Sequence, residues 1–266
     1  MQKEINYKEN RVVYDDIGNG SPVILIHGFG QDSQVWDIQA KELKTKWRLL
    51  IPDLPGSGRS PKGNPNWSME ELAEVIKAIL DSEKINQAVI IGHSMGGYIT
   101  LAFVEKYPGN ALAFGLFHSS AFADSDEKKT ARQKNIDFID KNGSYSFLKQ
   151  ATPNLFGELF KQEQPDFVNN FIDRYKEFDP NALIAYTQSM INRPDRTMVL
   201  KEFKNPVLFI IGKHDNAVPF EQTMQQVHLP QLSYIHILEN AGHMGMIEEP
   251  QKSTIFLDEF IKAVYE

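Results

Sequence analysis

The sequence predicts an α/β fold: a doubly wound, mostly parallel sheet with an inserted helical segment. Short apolar runs rich in β-branched residues alternate with segments of helical apolar spacing, which is typical of parallel strands joined by helices. Several runs are apolar without interruption, as expected for strands buried on both faces. The alternation breaks once, over residues 122–200, where the chain is polar, aromatic-rich and helix-favouring. We therefore predict a core from residues 1–121 and 201–266, and we call residues 122–200 the helical insertion.

Strand and helix signals alternate through the first half of the chain. Residues 4–16 predict two short strands, and Ser68 with Glu71 forms a capping box that predicts the start of a helix. The remaining elements follow from apolar runs and from apolar residues at helical spacing. They are strands at 23–26, 48–51 and 88–91 and helices at 33–44, 68–82 and 97–106.

The second half contains the helical insertion between two sets of strands. A buried strand is expected at 111–117, and four or five short helices are expected over 124–200. Strand signals return at 207–211 and 233–238. A closing helix over 248–265 is expected to direct four apolar side chains inward, namely Ile255, Phe256, Phe260 and Ile261.

The composition argues against several classes of function. The chain has 266 residues, of which 41% are hydrophobic and 24% charged, which is ordinary for a soluble protein with a sizeable core. A net charge of −7 without a basic stripe argues against nucleic-acid binding. The absence of cysteine excludes disulfides, thiolate metal sites and a cysteine nucleophile. No apolar run approaches the ~20 residues of a membrane helix, and the first residues lack the features of a signal peptide, so we expect a cytoplasmic protein.

The pentapeptide Gly92-His93-Ser94-Met95-Gly96 matches the G-x-S-x-G pattern of a nucleophile elbow. In such an elbow a serine lies on a sharp turn between a strand and a helix, and the glycines avoid collisions with both elements. The flanks fit, because an apolar strand precedes the motif and a helical segment follows it. Alone the pattern is weak, and an ordinary glycine-rich βα turn is the alternative. A nucleophile elbow is favoured over an ordinary turn if an acid, a histidine and an oxyanion site accompany the serine.

Two loops downstream of Ser94 supply an acid and a histidine. Because a serine hydroxyl is a poor nucleophile at neutral pH, it needs a base, and the base needs an orienting acid. Asp215 follows the strand at 207–211 and His243 follows the strand at 233–238, so both are expected at the carboxyl edge of the sheet. The order serine, acid, histidine is the order found on this architecture. We therefore predict Ser94, Asp215 and His243 as the catalytic residues.

Other roles for these residues, and other bases, remain open on sequence alone. Asp215 could cap the helix near Pro219, and His243 could bond only to backbone groups. We expect His27 to form structural hydrogen bonds and His93 to point away from the turn. The other histidines are His214, in a competing loop, and His118, His228 and His236, which lack a fitting loop context. No pair of histidines has metal-ligand spacing, so we predict no metal.

Two backbone amides are predicted to bind the oxyanion of a tetrahedral intermediate, which needs preorganised N–H donors. The amide of Met95 follows the nucleophile and lies at a helix N-terminus, where the helix dipole adds to its effect. The glycine-rich loop His27-Gly28-Phe29-Gly30 is the expected source of the second donor, which we assign to the Phe29 amide. The Phe29 side chain would then border the acyl pocket. A plain glycine turn is the alternative for this loop.

Related motifs occur along nearly the whole chain outside the helical insertion. They are HGFG at 27–30 with Trp36 downstream, DLPGSGRS at 53–60, GHSMGG at 92–97, GKHD at 212–215 and the pair Gly242-His243. This set resembles the α/β-hydrolase superfamily, in its serine, esterase-like form with a helical cap. The resemblance implies that the helical insertion is a cap over the active site, and that the triad and oxyanion amides are those named above. It also implies a structural role for Asp53 and its loop, and a serine nucleophile disfavours the dehalogenase and epoxide-hydrolase branches.

The helical insertion is rich in aromatic residues. Most are expected to form its own small core, and some to face the serine and form an apolar pocket. We expect Phe122, Phe147 and Phe156 to line that pocket. The charged runs at 126–129 and 173–177 are most simply solvated helix faces. Arg132, Arg174 or Arg193 could instead bind a substrate carboxylate, and an arginine in the pocket would indicate an acidic acyl group.

The predicted function is that of a cofactor-free serine hydrolase, which cleaves a small carboxylic ester, lactone or thioester through an acyl-enzyme. Alternatives that use the same triad are a carbon–carbon bond hydrolase acting on a diketone-like substrate and an acyltransferase. A non-enzyme alternative is a small-ligand receptor or signalling regulator on the same fold. The expected partner is a small ester-like molecule, with no nucleic acid and no membrane, and the protein is expected to be a monomer or homodimer.

Overall fold

The computed structural model describes residues 1–61 and 67–266. The strands of this part of the chain are β1 (Gln2–Tyr7), β2 (Asn10–Ile17), β3 (Pro22–Ile26), β4 (Arg48–Pro52), β5 (Ala88–His93), β6 (Ala111–Phe117), β7 (Val207–Gly212) and β8 (Ser233–Leu238). They form one eight-stranded sheet in the order β1-β2-β4-β3-β5-β6-β7-β8. β2 pairs antiparallel with β1 and β4, and the other neighbouring pairs are parallel. The prediction of a mostly parallel sheet is confirmed.

The central strands are buried on both faces, as their uninterrupted apolar sequences predict. β5 and β7 are buried at every position, and helices cover the sheet on both sides. The helices of the first half are α1 (Asp37–Leu43), which follows a short 3₁₀ turn at Ser33–Trp36, α2 (Met69–Ser82) and α3 (Met95–Lys106). The predicted capping box begins α2: the Glu71 amide donates to Ser68 Oγ at 3.1 Å, and the Ser68 amide donates to Glu71 Oε2 at 3.0 Å.

The chain between β6 and β7 is helical. Residues 118–206 are all described and form no strand; their helices are α4 (Asp126–Ala151), α5 (Glu158–Glu163), α6 (Pro165–Arg174), α7 (Pro180–Asn192) and α8 (Thr197–Glu202). The five helices agree with the four or five that the sequence predicts. α4 spans 26 residues but consists of two helical segments that meet at a kink at Gly143, whose φ of +81° is not helical.

In the described chain, three helices follow β7, and the last of them corresponds to the closing helix predicted over 248–265. They are α9 (Phe220–Met224), α10 (Gly245–Glu248) and α11 (Pro250–Tyr265). Pro250 begins α11, because proline fits the first turn of a helix and cannot continue one from before it. Phe260 and Ile261 are buried as expected, but Ile255 is 52% exposed, so its inward assignment was wrong. Within the described ranges, no helix is both long and apolar enough to span a membrane.

The topology brings the loops that carry the candidate residues to one edge of the sheet. The carboxyl ends of the adjacent parallel strands β5, β6 and β7 meet there, and β8 lies beside β7. Ser94 follows β5, His118 follows β6 and Asp215 follows β7 closely in the chain. The helical insertion leaves from this edge, and the Arg196 amide donates to the Ala121 carbonyl oxygen at 2.7 Å, so its two ends lie side by side.

Candidate active site

Ser94 lies on the sharp turn between β5 and α3. Its backbone has φ +53° and ψ −115°, a conformation that is rare for a residue with a side chain. Two hydrogen bonds hold the turn. The Ser94 amide donates to the Phe117 carbonyl oxygen at 2.9 Å, and Ser119 Oγ donates to the Ser94 carbonyl oxygen at 2.7 Å. The neighbouring strand β6 and the residues that follow it therefore stabilise the strained serine.

The glycines on either side of Ser94 allow the turn to close. A Cβ on Gly92 would lie 2.1 Å from the carbonyl oxygen of Gly96, and a Cβ on Gly96 would lie 2.5 Å from the carbonyl oxygen of Ile26. Both obstacles are backbone atoms, so no side-chain rotation would relieve the collision. The motif is thus a sharp strand-to-helix turn, and not merely a glycine-rich loop.

Ser94, His243 and Asp215 form a continuous hydrogen-bonded chain of side chains. Ser94 Oγ lies 2.8 Å from His243 Nε2, and His243 Nδ1 lies 2.7 Å from Asp215 Oδ2. The imidazole and the carboxylate are only 3% and 1% exposed. A carboxylate at Nδ1 favours the tautomer with its hydrogen on Nδ1, which turns the lone pair of Nε2 towards the serine hydroxyl. This arrangement can take a proton from Ser94 as its oxygen attacks a carbonyl.

The carboxylate of Asp215 is hydrogen-bonded at both oxygens. Oδ1 accepts the amides of Ala217 and Val218, both at 2.8 Å. The helix-capping role considered from sequence is not found, because α9 begins after Pro219 and has no side-chain cap. Burial acts to raise the pKa of Asp215. Attraction to His243 and hydrogen bonds from His118 and His243 outweigh it and hold that pKa far below its usual range. Asp215 is therefore ionised and can stabilise a positive charge on His243.

His118 and Glu248 also support the site, and neither was assigned a role from sequence. His118 Nδ1 lies 3.2 Å from Asp215 Oδ2. Its position directly after β6, at the carboxyl edge of the sheet, was the signal that could have found it. Glu248 accepts the amides of Gly242 at 3.0 Å and Met244 at 2.9 Å, which fixes the loop that carries His243. No local sequence signal distinguishes Glu248 from any other acid at the start of a helix.

The remaining histidines do not contact the Ser94 hydroxyl. His27 Nε2 accepts the Leu54 amide at 3.0 Å, which matches the expected structural role. His93 Nε2 lies 2.9 Å from the His243 carbonyl oxygen, and burial lowers the pKa of His93 well below its ordinary value. The neutral His93 ring therefore donates a hydrogen bond to the His243 carbonyl oxygen and helps to fix the backbone there. Away from the site, His214 and His228 are exposed and His236 stacks on Phe256.

The amides of Phe29 and Met95 are available as donors. Met95 is the first residue of α3, so its amide has no partner inside the helix, and neither amide donates a hydrogen bond within the described residues. The loop that carries Phe29 adjoins the serine, since a Cβ on Gly28 would lie 3.2 Å from Ser94 Cβ. The Gly28 amide donates to Gln31 Oε1 at 3.1 Å, which holds the loop in place.

A cavity of about 170 Å³ opens at Ser94 and His243 beneath the helical insertion. Phe147 lines it, as expected, and packs edge-on against Phe29 with ring centroids 6.1 Å apart. Phe122 and Phe156 do not line it, which corrects that expectation. Phe156 instead belongs to the aromatic core of the insertion, packed on Phe160, Phe167 and Phe171. Phe122 lies outside the cavity, and its carbonyl oxygen accepts a hydrogen bond from Arg193 Nη2 at 3.2 Å.

One group of side chains has the donor atoms of a metal site. The ligand atoms of His118, Asp215 and His243 lie within 4.8 Å of one another. We assign this group to hydrogen bonding, because both imidazoles face the carboxylate at hydrogen-bond distance and His243 Nε2 is directed to Ser94. The expectation that the protein uses no metal stays a prediction.

Comparison with known proteins identifies the family. A sequence profile described as the alpha/beta hydrolase family matches residues 23–253. The chain belongs to this family. A solved structure described as a thermophilic esterase from Thermogutta terrifontis (malate bound) has 26% sequence identity, a TM-score of 0.94 and complete coverage of both chains. The α/β-hydrolase fold is therefore confirmed.

Curated relatives of this chain carry out several reactions. Lipase 1 of Psychrobacter immobilis is 28% identical over 255 residues, covering 90% of this chain and 77% of the lipase. A protein of Burkholderia vietnamiensis (strain G4 / LMG 22486), named 2-hydroxy-6-oxononadienedioate/2-hydroxy-6-oxononatrienedioate hydrolase, is 25% identical over 266 residues, covering 96% and 92%. The relatives support a hydrolase role for this family member and leave its substrate open.

Proposed function

We propose that this protein is a serine hydrolase that cleaves a small carboxylic ester, or a lactone or thioester, through an acyl-enzyme. The observation that carries the proposal is the chain of contacts from Ser94 Oγ to His243 Nε2 at 2.8 Å and from His243 Nδ1 to Asp215 Oδ2 at 2.7 Å. A nucleophile, a base and an orienting acid at these distances are the requirements of acyl transfer through serine.

The proposed reaction has two halves. In the first, Ser94 Oγ attacks the ester carbonyl as His243 Nε2 takes its proton, and the Phe29 and Met95 amides bind the oxyanion that forms. The intermediate collapses, the bond to the leaving alcohol breaks, and His243 returns the proton to that alcohol. In the second half His243 takes a proton from water, the resulting hydroxide attacks the acyl-enzyme, and the acid leaves as Ser94 regains its hydrogen. Asp215 stabilises the imidazolium in both halves.

Two further observations support an ester as the substrate. The relatives with the similarity given above include an esterase of the same fold and a lipase. The cavity at Ser94 is lined mainly by apolar side chains such as Phe147, Leu148 and Phe171, which suits the carbon chain of a small acyl group. The named activities of the relatives also favour an enzyme over the receptor alternative.

Turnover of short esters tests the proposal. We expect the wild-type protein to hydrolyse p-nitrophenyl acetate or butyrate and to react with a fluorophosphonate probe. Ser94→Ala should lose at least about 10³-fold in kcat/KM and all labelling, since the nucleophile is removed. Ser253→Ala is the matched control, because Ser253 is a buried serine of α11 that bonds to Gln39 away from the site. Absence of both turnover and labelling in the wild-type protein would exclude the proposed function.

A carbon–carbon bond hydrolase is the second candidate. The Burkholderia relative is named as the hydrolase of an oxo-diacid, a compound that contains no ester. The same triad could serve such a substrate. An oxo-dienoate substrate tests this candidate, because its cleavage is followed by the loss of its visible absorbance. Faster cleavage of the oxo-dienoate than of any ester would favour the carbon–carbon bond hydrolase. Acyl transfer is separated from hydrolysis by adding a nucleophilic alcohol and measuring whether a new ester accumulates.

A further inference from the structure

The structure distinguishes between the three arginines of the helical insertion that could meet a substrate carboxylate. Arg132 lines the cavity at Ser94. Arg174 lines a different groove, beside Asp32 and Tyr175. Arg193 is enclosed: it donates to the Met190 carbonyl oxygen at 2.7 Å and lies over the Tyr98 ring at 3.9 Å. Arg132 is therefore the arginine that a molecule bound at Ser94 could reach.

Within the described residues, Arg132 and Arg193 share one carboxylate. It belongs to Asp124, which lies 2.6 Å from Arg132 Nε and also pairs with Arg193 Nη2 at 2.9 Å. Burial acts to raise the pKa of Asp124, but the two arginines lower it overall, so Asp124 is ionised. Two guanidinium groups thus face one carboxylate, which leaves one positive charge next to the cavity.

The outer part of Arg132 has unused donors. Nε is bonded to Asp124, whereas the terminal nitrogens form no hydrogen bond with any described residue, and the side chain is 16% exposed. Asn135 follows three positions later on α4, lies on the same face of the helix and also lines the cavity. Its carboxamide has no hydrogen-bond partner in the described part of the chain.

The side chains of Arg132 and Asn135 line a cavity whose other described lining residues carry no permanent charge. Among the described residues that line the cavity, Arg132 is the one with a permanent charge, and most of the others are apolar. A planar guanidinium with free terminal N–H groups matches a carboxylate in shape and charge, and the interaction strengthens where water is excluded. A neutral acyl group would make no charge-assisted hydrogen bond with the terminal N–H groups of Arg132.

We propose that Arg132 and Asn135 form a carboxylate-binding subsite, and that the preferred substrate is a short ester that carries a carboxylate. The proposal rests on the proposed function of Ser94. Ser94, Arg132 and Asn135 line one cavity, so a single small molecule could contact all three. The carboxylate can belong to the acyl part or to the leaving group, and the two cases are separated below.

Matched pairs of esters test the subsite by pH-stat titration. For the acyl part, monoethyl succinate is compared with ethyl pentanoate, in which an ethyl group replaces the carboxylate. For the leaving group, butyryloxyacetate is compared with propyl butyrate. We expect kcat/KM of the wild-type protein to favour the charged member of one pair by about ten-fold or more, mainly through KM.

Substitutions on α4 connect that preference to the subsite. Arg132→Gln should lower kcat/KM for the charged ester by about 10- to 100-fold more than for its neutral match. Arg132→Lys should retain part of the preference, and Asn135→Leu should lower it to a lesser degree. Arg174→Gln is the control, because it makes the same change in a groove away from Ser94. Thermal unfolding verifies that each variant is folded.

A binding measurement separates this proposal from the proposed function. Calorimetry with Ser94→Ala should show monoethyl succinate or butyryloxyacetate binding about ten-fold more tightly than its neutral match, and Arg132→Gln in the same background should abolish the difference. Neutral esters that are hydrolysed with no preference for either charged ester, and no effect of Arg132→Gln, would overturn the subsite and leave the hydrolase proposal intact. A charge-dependent affinity without turnover would keep the subsite and exclude the hydrolase.

Discussion

His118 Nδ1 lies 3.2 Å from Asp215 Oδ2, the oxygen that also accepts the hydrogen bond from His243. The same nitrogen lies 3.1 Å from the Gly212 amide, which donates to it. The ring is fully buried, and its Nε2 has no partner within the described residues. Burial lowers the pKa of His118, so the ring is neutral, and Nδ1 can satisfy either the donor or the acceptor but not both. Asp215 Oδ2 thus lies within hydrogen-bond distance of two imidazoles.

Replacing His118 should alter catalysis through Asp215. Asparagine is a suitable substitution, since it tolerates the φ of +50° at this position but lacks the imidazole. We expect kcat to fall by about ten-fold, because one contact that positions the carboxylate is lost, with little change in KM. The acid limb of the pH–rate profile should move to higher pH, because the carboxylate then acts on His243 alone. Exposed His228→Asn is the control. A lower Tm of His118→Asn with an unchanged pH–rate profile would show that His118 contributes only to packing.

Gly28→Ala should impair the oxyanion loop. The added Cβ would lie 2.8 Å from His93 Nδ1 and 3.0 Å from Gln31 Oε1, so the loop that carries the Phe29 amide must shift. We expect kcat to fall by about 10²-fold, since a small displacement of a donor costs this much, while KM changes little. The rate of fluorophosphonate labelling should fall in parallel. A kcat within about two-fold of wild type would argue against a donor in this loop.

Gly96→Ala should destabilise the fold itself. Its Cβ would meet the backbone oxygens of Ile26 at 2.5 Å and His27 at 2.7 Å, and neither can move without disturbing β3. We expect a loss of about 3 kcal/mol or more in the free energy of unfolding, measured by urea denaturation. Gly109 provides the comparison, because nothing lies within 4 Å of the point that a Cβ would occupy there, and alanine should be neutral or slightly stabilising. Equal stability of the two variants would refute the close-packing argument.

Asp16 should make part of the stability depend on pH. Arg48 donates to both of its oxygens, at 2.9 and 2.8 Å, and this pair, with Lys3, lowers the pKa of Asp16 to about 2 from 3.8. A lowered folded-state pKa contributes stability that is complete above the unfolded value and is lost as pH falls towards the folded value. Asp16→Asn should therefore cost about 1–2 kcal/mol at pH 7 and almost nothing near pH 2.

Chemical denaturation at several pH values measures this difference. Asp126→Asn is the matched control, because the Asp126 side chain is 98% exposed and its replacement should change the free energy of unfolding by less than about 0.5 kcal/mol at any pH. A cost of Asp16→Asn that stays constant from pH 7 to pH 2 would contradict the assigned role of the ion pair.

Local sequence signals predicted most of the fold because their causes are local. The uninterrupted apolar run of β5 and the capping box of Ser68 and Glu71 depend on residues a few positions apart, and both elements formed where expected. The helix at the end of the chain was predicted less well. Its apolar pattern did not reveal that Ile255 is on the solvent side, since that depends on which face α11 presents to α1 and β8.

By itself, the sequence determined the strained turn at Ser94, through the glycines that its close packing requires, and the order of strands and helices that brings Asp215 and His243 to the same edge. Only the tertiary structure decided which distant side chains meet. Ser94 and His243 are 149 positions apart, and His118 reaches Asp215 across 97. It also placed Arg132 at the cavity, Arg193 in a buried pair with Asp124 and Phe156 in the aromatic core. These positions follow from how α4, α6 and α7 pack together. Packing depends on the volumes and charges of side chains that are far apart in the sequence, so a local sequence pattern does not reveal it.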